Sequence, residues 1–261
     1  MSTRDTMASL FSLDGSTAIV TGATGGIGLS VVPALAEMGA DIVSLQVPGD
    51  PQSSTLKAAI ERHGRSFQAF DCNLKSETDI QQTFTRIWEA GIVPDVLLHM
   101  AGITHNSPVL ETSSETMNNV IDLNVRAPYI ISQHFGRRLV SLHHPGKIIH
   151  ITSMAATLAQ EDICVYAASK AFVRQMVRGL SNEWAREGIQ VNAVSPGFIQ
   201  TPMSKHLHEN EDFSAYVKGR TSMRRWGMPD DLKGVVAFLA SHASDFITGE
   251  EIVVDGGVIG R

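Results

Sequence analysis

Cysteine is scarce in this chain, which has only Cys72 and Cys164 among its 261 residues. Two cysteines are too few for the disulfide framework of a small secreted domain, so we expect free, buried thiols in a reducing compartment. No pair of histidines accompanies either cysteine in the sequence, which argues against a zinc site. The sequence therefore predicts no bound metal.

Long apolar runs and clusters of basic residues are also missing. No stretch reaches the ~18 consecutive apolar residues of a membrane-spanning helix, and the first eight residues lack the apolar core of a signal peptide. The 21 Lys and Arg residues are scattered, and the net charge is −6. A nucleic-acid-binding face is therefore not expected. These features predict a cytoplasmic protein with neither nucleic-acid nor membrane partners.

The chain instead shows a regular alternation of short β-branched runs with amphipathic stretches, and 43% of its residues are hydrophobic. This alternation predicts an α/β fold, a doubly wound, seven-stranded parallel sheet of the Rossmann type with helices on both faces. Residues 1–261 should form a single nucleotide-binding domain. Its polar segment at about residues 198–225 is predicted to be a lid-like insertion.

One predicted helix carries a residue that does not suit a helix interior. Residues 112–140 have the pattern of a long helical stretch with Asn124 near its middle, among mostly apolar neighbours. A buried asparagine in a helix needs hydrogen-bond partners. From the residues alone, the simplest interpretation is a hydrogen bond between packed helices.

A glycine-rich segment at residues 22–28 directly follows a predicted strand and precedes a predicted helix. Glycines in this context let the backbone approach a pyrophosphate at the helix N-terminus. A tight structural turn is the alternative interpretation. The predicted cofactor contacts of this loop are Gly22, Thr24, Gly26, Ile27 and Gly28.

The residue that closes the second strand usually contacts the adenine ribose, where an acid favours NAD and a base favours NADP. Here the position holds Gln46, and neither it nor the glycine loop supplies a base. This composition favours NAD and leaves NADP open. Further cofactor contacts are predicted at the ends of the third and fourth strands: Asp71, Cys72, Met100, Ala101 and Gly102.

Ser153, Tyr166 and Lys170 have a spacing that predicts catalysis. Tyr166 and Lys170 lie four residues apart in a helix-forming run, so their side chains should share one face. An ammonium group beside the tyrosine would lower its pKa from about 10 towards neutrality. Ser153 follows an apolar strand, at the end where α/β sheets bind ligands. The spacing thus indicates an acid/base tyrosine, although a tyrosine packed under a lysine remains the alternative.

Taken together, these motifs resemble the short-chain dehydrogenase/reductase family over residues 10–261. The matching residues are Thr21, Gly22, Gly26, Gly28, Asp71, Ala101, Gly102, Asn124, Ser153, Tyr166, Lys170, Pro196, Gly197 and Thr201. Segments 39–43, 225–232 and 254–257 are similar to the 2-deoxy-D-gluconate 3-dehydrogenase group of that family. Where the family commonly has Asn-Asn before Ala101, this chain has His99 and Met100, which should change the packing on the adenine side.

The resemblance implies an NAD(P)-dependent oxidoreductase that transfers a hydride between nicotinamide and a carbonyl or secondary alcohol. Tyr166 would be the acid/base, Lys170 would lower its pKa and bind the nicotinamide ribose, and Ser153 would polarise the carbonyl. Asn124 would hold a water in a proton relay to Lys170. Other implied cofactor contacts are Pro196, Gly197 and Ile199 on the carboxamide and Thr201 on a phosphate. The resemblance also implies a homotetramer in which two long helices pack against a neighbouring subunit.

The sequence does not determine the substrate. Predicted substrate contacts are Ser153, Met154, Gln160 and Tyr166, and His105, Cys164 and Trp226 are expected nearby, although several of these residues could pack the lid instead. Their mixed polarity fits a sugar acid, a polyol or the polyketide-like ketone of a biosynthetic ketoreductase. The same motifs would also suit a dehydratase or isomerase with this cofactor, or a nucleotide-binding protein without catalytic activity.

Overall fold

A parallel sheet forms the centre of the computed structural model, which describes residues 6–261. The strands in this part of the chain are β1 (Thr17–Thr21), β2 (Asp41–Gln46), β3 (Phe67–Asp71), β4 (Val96–His99), β5 (Gly146–Ile151), β6 (Ile189–Pro196) and β7 (Glu251–Val254). Their order across the sheet is β3-β2-β1-β4-β5-β6-β7, and every neighbouring pair is parallel. The strand order reverses between β1 and β4, where such sheets bind ligands.

Helices pack on both faces of this sheet, as predicted. Within residues 6–261 the α-helices are α1 (Met7–Phe11), α2 (Gly28–Glu37), α3 (Ser53–Glu61), α4 (Glu77–Glu89), α5 (Ser114–Ile121), α6 (Ala127–Leu142), α7 (Cys164–Trp184), α8 (Lys205–His208), α9 (Glu211–Arg220) and α10 (Lys233–Ala240). Helices α2, α3 and α10 form one core against the sheet. Helices α4, α6 and α7 form a second core on the other face. The doubly wound Rossmann architecture is therefore confirmed.

The central strands are apolar on both faces because both faces are covered. In β1, Ala18 and Val20 enter the first core while Ile19 enters the second, as the two-residue period of a strand requires. All six residues of β5 are buried. This burial explains why the sequence shows continuous apolar runs here.

The predicted helical stretch at residues 112–140 is observed as a continuous helical run at residues 114–142, but it is not α-helical throughout. A π-helical turn, Asp122–Arg126, separates α5 from α6 and carries Asn124. Pro128 has no backbone N–H, so the α-helical hydrogen bond that would reach the Asn124 carbonyl cannot form. The helix widens at this point, and such π turns are frequent at functional sites.

The two cysteines lie in different environments. Both are free thiols, but Cys72 is buried after β3 whereas Cys164 is exposed at the start of α7. The prediction of two buried thiols is therefore wrong for Cys164, because the first turn of α7 lies at the surface. The polar N-terminus considered above lies partly outside the described residues, at residues 1–5. Across residues 6–261, no helix has the length and apolar character needed to cross a membrane.

Two helix-interior glycines provide a matched test of how α6 packs on α7. A Cβ added at Gly136 would lie 2.8–3.0 Å from three ring atoms of Trp184, whereas one at Gly179 would meet nothing within 4 Å. We expect Gly136→Ala to lower the free energy of unfolding by about 1–3 kcal/mol through overpacking. Gly179→Ala should raise it by about 0.5–1 kcal/mol, because alanine is favoured in helices. Urea denaturation followed by circular dichroism measures both, and equal effects would contradict this packing.

Candidate active site

A cleft of about 710 Å³ opens at the carboxyl ends of β4, β5 and β6. Loops after these strands form its floor, and α7 forms one wall. The segment 198–225, which contains α8 and α9, forms much of the opposite wall. The cleft therefore lies at the carboxyl edge of the sheet, where open α/β sheets bind ligands.

The sheet and α7 bring Ser153, Tyr166 and Lys170 together in this cleft. Ser153 follows β5 in extended backbone, and its Oγ accepts a hydrogen bond from the Ala155 N–H at 3.1 Å. Ser153 and Tyr166 both line the cleft, and the Ser153 hydroxyl is close enough to favour the ionised form of Tyr166 and so lower its pKa. One helical turn further along α7, the Lys170 Nζ lies 5.8 Å from the centroid of the Tyr166 ring and donates to the Ile151 carbonyl at 2.9 Å.

Burial determines how Tyr166 and Lys170 titrate. Desolvation lowers the pKa of the Lys170 ammonium from 10.5 to about 8. Burial also raises the pKa of Tyr166 above its ordinary value, and the nearby Ser153 hydroxyl offsets only part of this effect. The expected lowering of the tyrosine pKa by lysine is therefore not met here. The physical reason is that desolvation of the buried hydroxyl outweighs the contributions that favour the phenolate.

Asn124 fixes the loop after β4 to the start of α7. Its Oδ1 accepts from the Ile103 N–H at 2.9 Å, and its Nδ2 donates to the Ile103 carbonyl at 2.8 Å and to Ser169 Oγ at 3.0 Å. Ser169 Oγ in turn donates to the Tyr166 carbonyl at 2.7 Å. The amide thus makes a packing hydrogen bond, as the residues alone indicated, and it does so within the candidate site.

Two buried histidines lie beneath this site on adjacent strands. His99 pairs in register with His150, and their ring centroids are 5.6 Å apart. His99 Nδ1 lies 2.8 Å from Thr21 Oγ1, and His150 Nε2 lies 3.1 Å from Ser132 Oγ. Burial, reinforced by the Lys170 charge, lowers the pKa of His150 to about 3, and the pKa of His99 also lies well below its usual value. By the two-residue period of β4, His99 lies on the same face of the sheet as Leu97, which belongs to the second core.

The glycine loop passes the structural test for a dinucleotide site. Gly22 has φ +69°, and a Cβ there would lie 2.7 Å from the Ala101 backbone nitrogen. A Cβ at Gly26 would lie within 2.9 Å of residues 201–202. The loop backbone therefore packs against Ala101 on one side and residues 201–202 on the other, with no room for a side chain at Gly22 or Gly26. Helix α2 begins at the last glycine of the loop, Gly28. Such a cradle at a helix N-terminus fits a pyrophosphate.

The predicted cofactor residues divide into two groups. Those lining the cleft are Ile27, Met100, Gly102, Tyr166, Lys170, Pro196, Gly197, Ile199 and Thr201. Those along the ends of β1 to β4 but outside its lining are Gly22, Thr24, Gly26, Gly28, Gln46, Asp71, Cys72 and Ala101. Asp71 lies instead beside a surface depression against α4, where its carbonyl accepts from Arg86 at 2.7 Å.

Most of the predicted substrate residues line the cleft, and two do not. Ser153, Met154, Gln160, Tyr166 and Trp226 are in its walls. His105 and Cys164 are outside the lining, and Cys164 is exposed to solvent. Within residues 6–261, no three His, Cys, Asp or Glu side chains are close enough together to hold a metal ion.

Sequence reasoning missed acidic residues at both ends of the candidate site. Glu161 and Asp162 line the mouth of the cleft. Asp162 has φ +64°, and its carbonyl accepts from the Ser107 N–H at 2.7 Å. At the other end, Thr24 Oγ1 donates to Asp50 Oδ2 at 2.7 Å. The available signals were an acidic pair shortly before Tyr166 and an acid four residues beyond Gln46.

Comparisons with known proteins agree with this geometry. A family model described as Enoyl-(Acyl carrier protein) reductase matches residues 22–259. The chain is 37% identical to 2-dehydro-3-deoxy-D-gluconate 5-dehydrogenase of Pseudoalteromonas atlantica, over 98% of this chain and 100% of that one. It is 38% identical to 5-keto-D-gluconate 5-reductase of Escherichia coli, over 97% and 99% of the two chains. The crystal structure of a gluconate 5-dehydrogenase from Burkholderia cenocepacia in complex with NADP and tartrate matches with TM-score 0.93 and 31% identity, over 98% and 100%.

The chain belongs to the short-chain dehydrogenase/reductase family. It is an NAD(P)-dependent oxidoreductase that interconverts a secondary alcohol and a carbonyl group. Within this family, its similarity extends over nearly the whole length of relatives named as gluconate and keto-gluconate enzymes.

The buried His150 makes stability depend on pH. Its pKa is about 3 in the folded protein and 6.5 in its ordinary state, so the unfolded chain binds more protons between these values. The stability is thus fully present above pH 6.5 and is lost as pH falls towards 3. His150→Gln keeps an N–H donor for Ser132 but cannot titrate. Between pH 7.5 and 5.0 we expect wild type to lose about 2 kcal/mol more than this variant, at ~1.36 kcal/mol per pH unit below 6.5.

Urea unfolding curves at both pH values measure this difference. The control is His206→Gln, which changes an exposed histidine and should leave the pH dependence as in wild type. Parallel losses in wild type and His150→Gln would show that His150 is not buried in its neutral form.

Proposed function

We propose that this enzyme oxidises a secondary hydroxyl group of a gluconate-type sugar acid, or reduces the corresponding ketone. The observation that carries the proposal is the grouping of Ser153, Tyr166 and the Lys170 ammonium in one cleft. The names of the relatives support the substrate class. The tartrate in the Burkholderia cenocepacia structure is also a hydroxy acid.

In this proposal, Tyr166 moves the proton and Ser153 holds the reacting oxygen. The bound dinucleotide supplies the carbon that takes or gives the hydride. In the reducing direction, protonated Tyr166 donates its proton to the oxygen as the carbonyl carbon gains hydride, and its raised pKa keeps it protonated at neutral pH. In the oxidising direction the C–H bond breaks and Tyr166 takes the hydroxyl proton. Before it accepts this proton Tyr166 is a phenolate, which the Lys170 ammonium stabilises.

Asn124 is proposed to extend the proton path from Lys170. A Cβ at Gly102 would lie 3.2 Å from Asn124 Oδ1 and 3.4 Å from Lys170 Nζ, so both atoms flank the same small residue. One water beside Gly102 would hydrogen-bond to both groups. This arrangement would return protons to Tyr166 without opening the cleft.

The proposed cofactor site runs from the glycine loop into the cleft. The pyrophosphate would bind the backbone of the loop, through Gly22, Thr24, Gly26, Ile27 and Gly28. The adenosine half would lie along Gln46, Asp71, Cys72, Met100, Ala101 and Gly102. The nicotinamide half would contact Tyr166, Lys170, Pro196, Gly197, Ile199 and Thr201. The cradle at Gly22 and Gly26 supports this path.

The segment 198–225 is proposed to act as the lid of a single domain that spans the chain. It places Phe213 against Phe198 and Trp226, with ring centroids 6.0 and 6.3 Å away. His206 of the same segment also lines the cleft, as does the acidic pair at residues 161–162. A sugar acid would fit with its carboxylate towards His206 and its hydroxyl groups towards the acids. The aromatic rings favour a second candidate, a ketoreductase for an apolar ketone.

We also propose that the enzyme is a cytoplasmic homotetramer. Large apolar side chains on the two long helices are exposed, including Tyr129 on α6 at 47% and Phe172 on α7 at 41%. Met117 of the neighbouring α5 is exposed at 39%. Packing between subunits would cover these side chains, and light scattering would measure the mass. A monomer of 28.2 kDa in solution would contradict the proposal.

Tyr166→Phe tests the assigned mechanism. Removal of the hydroxyl eliminates the proton donor, so we expect kcat to fall by at least ~10²-fold, the scale of general acid–base catalysis. The ring remains, so NAD(P)H binding measured by fluorescence should stay within about threefold. Tyr216→Phe is the matched control, because Tyr216 also lines the cleft and is assigned no proton. Turnover that persists in Tyr166→Phe would contradict the mechanism.

A substrate panel tests the proposed substrate class. We expect kcat/KM for D-gluconate, or for a related aldonic acid, to exceed that for the neutral polyol D-glucitol by about tenfold or more, because the polar groups of the cleft select a matching ligand. Nicotinamide absorbance reports the turnover. Preference for an apolar ketone would establish the ketoreductase instead. Product formed without a net absorbance change would indicate a dehydratase or isomerase.

A further inference from the structure

Gln46, at the end of β2, occupies the position that usually binds the adenine ribose, but its side chain is not accessible. Gln46 is only 9% exposed. Its Oε1 is enclosed by protein and has no hydrogen-bond partner among the described residues. A ribose hydroxyl group could not contact this oxygen unless the side chain moved. The choice between the two coenzymes therefore depends on other groups near the glycine loop.

Asp50 is the acid that the fold places against that loop. A turn at residues 47–50 follows β2, with the Asp50 N–H donating to the Val47 carbonyl at 3.2 Å. Thr24 Oγ1 donates to Asp50 Oδ2 at 2.7 Å, and the Gln52 N–H donates to Asp50 Oδ1 at 2.9 Å. Each carboxylate oxygen is held by one donor. Because a carboxylate can accept about four hydrogen bonds, each oxygen retains a further site for a ribose hydroxyl.

The cations that follow this acid in the sequence are committed to other contacts. Lys57 Nζ is 3.7 Å from a Glu61 carboxylate oxygen. Arg62 donates to the His63 ring at 3.3 Å, and Arg65 donates to the Gly39 carbonyl at 3.0 Å. The segments 22–28 and 46–52 contain neither Lys nor Arg. These two segments therefore place the Asp50 carboxylate, and no Lys or Arg, at the end of the proposed coenzyme site that would bind the adenine ribose.

We propose that Asp50 determines coenzyme specificity in this enzyme and makes it prefer NAD(H) to NADP(H). The ribose hydroxyl groups of NAD(H) donate to a carboxylate, whereas the 2′-phosphate of NADP(H) is repelled by it. The inference rests on the proposed coenzyme site at the glycine loop. The structure of the Burkholderia cenocepacia relative is a complex with NADP. The usual ribose-binding position is Gln46, and Asp50 lies four residues beyond it.

Fluorescence titration of the full chain with NADH and with NADPH tests this assignment. For wild type we expect NADH to bind at least about tenfold more tightly, which corresponds to roughly 1.4 kcal/mol. Asp50→Asn removes the charge but keeps an oxygen for Thr24. This variant should bind NADPH at least about fivefold more tightly than wild type, with its NADH affinity within about threefold.

Asp41→Asn is the matched control. Asp41 lies at the start of β2, at the opposite end of that strand from Asp50, and its Oδ1 accepts from the Ser66 N–H at 2.7 Å. This variant makes the same change in net charge and should leave the NADH/NADPH ratio as in wild type. A wild-type preference for NADPH, or an unchanged ratio in Asp50→Asn, would overturn the assignment of Asp50 and leave the coenzyme site intact. Failure of both coenzymes to bind would overturn the site itself, and the inference with it.

Discussion

Lys170 holds an ammonium group in the protein interior, where its hydrogen bond to the Ile151 carbonyl replaces part of the water it has lost. That bond joins α7 to the end of β5, and Ser153 follows Ile151 by two residues. The position of Tyr166 beside Ser153 depends on the same junction, because Tyr166 and Lys170 share one helix face. Burial of this charge is unfavourable, and it lowers the pKa of Lys170 to about 8. The same charge adds to the effect of burial in lowering the pKa of His150, so that His150 is neutral.

The topology of the sheet explains why these groups lie together. Strands β1 and β4 are neighbours, so the turn at Gly22 packs directly against the backbone of Ala101. On the face covered by α6 and α7, the strands begin with apolar residues such as Leu97 and end with polar ones such as His99. The polar ends form a buried hydrogen-bonded layer under the cleft. Asn124 is fully paired through Ile103 and Ser169, whereas His99 Nε2 and His150 Nδ1 are buried without a hydrogen-bond partner among the described residues.

Periodicity allowed the parallel sheet and its two helical layers to be predicted, and spacing placed Tyr166 and Lys170 on one helix face. Their grouping with Ser153 as a catalytic site was implied by the resemblance to the family. The rest depended on three-dimensional context. The π turn arises from a missing donor at Pro128 within an otherwise helical pattern. The raised pKa of Tyr166 depends on how deeply the hydroxyl is buried, which spacing does not reveal. Gln46 stands at the usual ribose position in the sequence, but the fold encloses its oxygen.

The distribution of charge indicates how such a site would recognise a sugar acid. Among the described residues that line the cleft, Lys170 is the one lysine and no arginine is present, while Glu161 and Asp162 lie at the mouth. Lys170 is committed to Ile151, so within this lining no fixed cation is free to clamp a carboxylate in the bidentate manner of arginine. A sugar acid would therefore be recognised mainly by hydrogen bonds to its hydroxyl groups and by contact with the rings of Phe198, Phe213 and Trp226. The carboxylate would lie at the His206 side, away from Glu161 and Asp162, and this placement favours an aldonic acid over a neutral polyol. A site of this kind distinguishes substrates by the pattern of their hydroxyl groups, and the same reasoning explains why an acid at residue 50 suits a coenzyme ribose that offers hydroxyl groups alone.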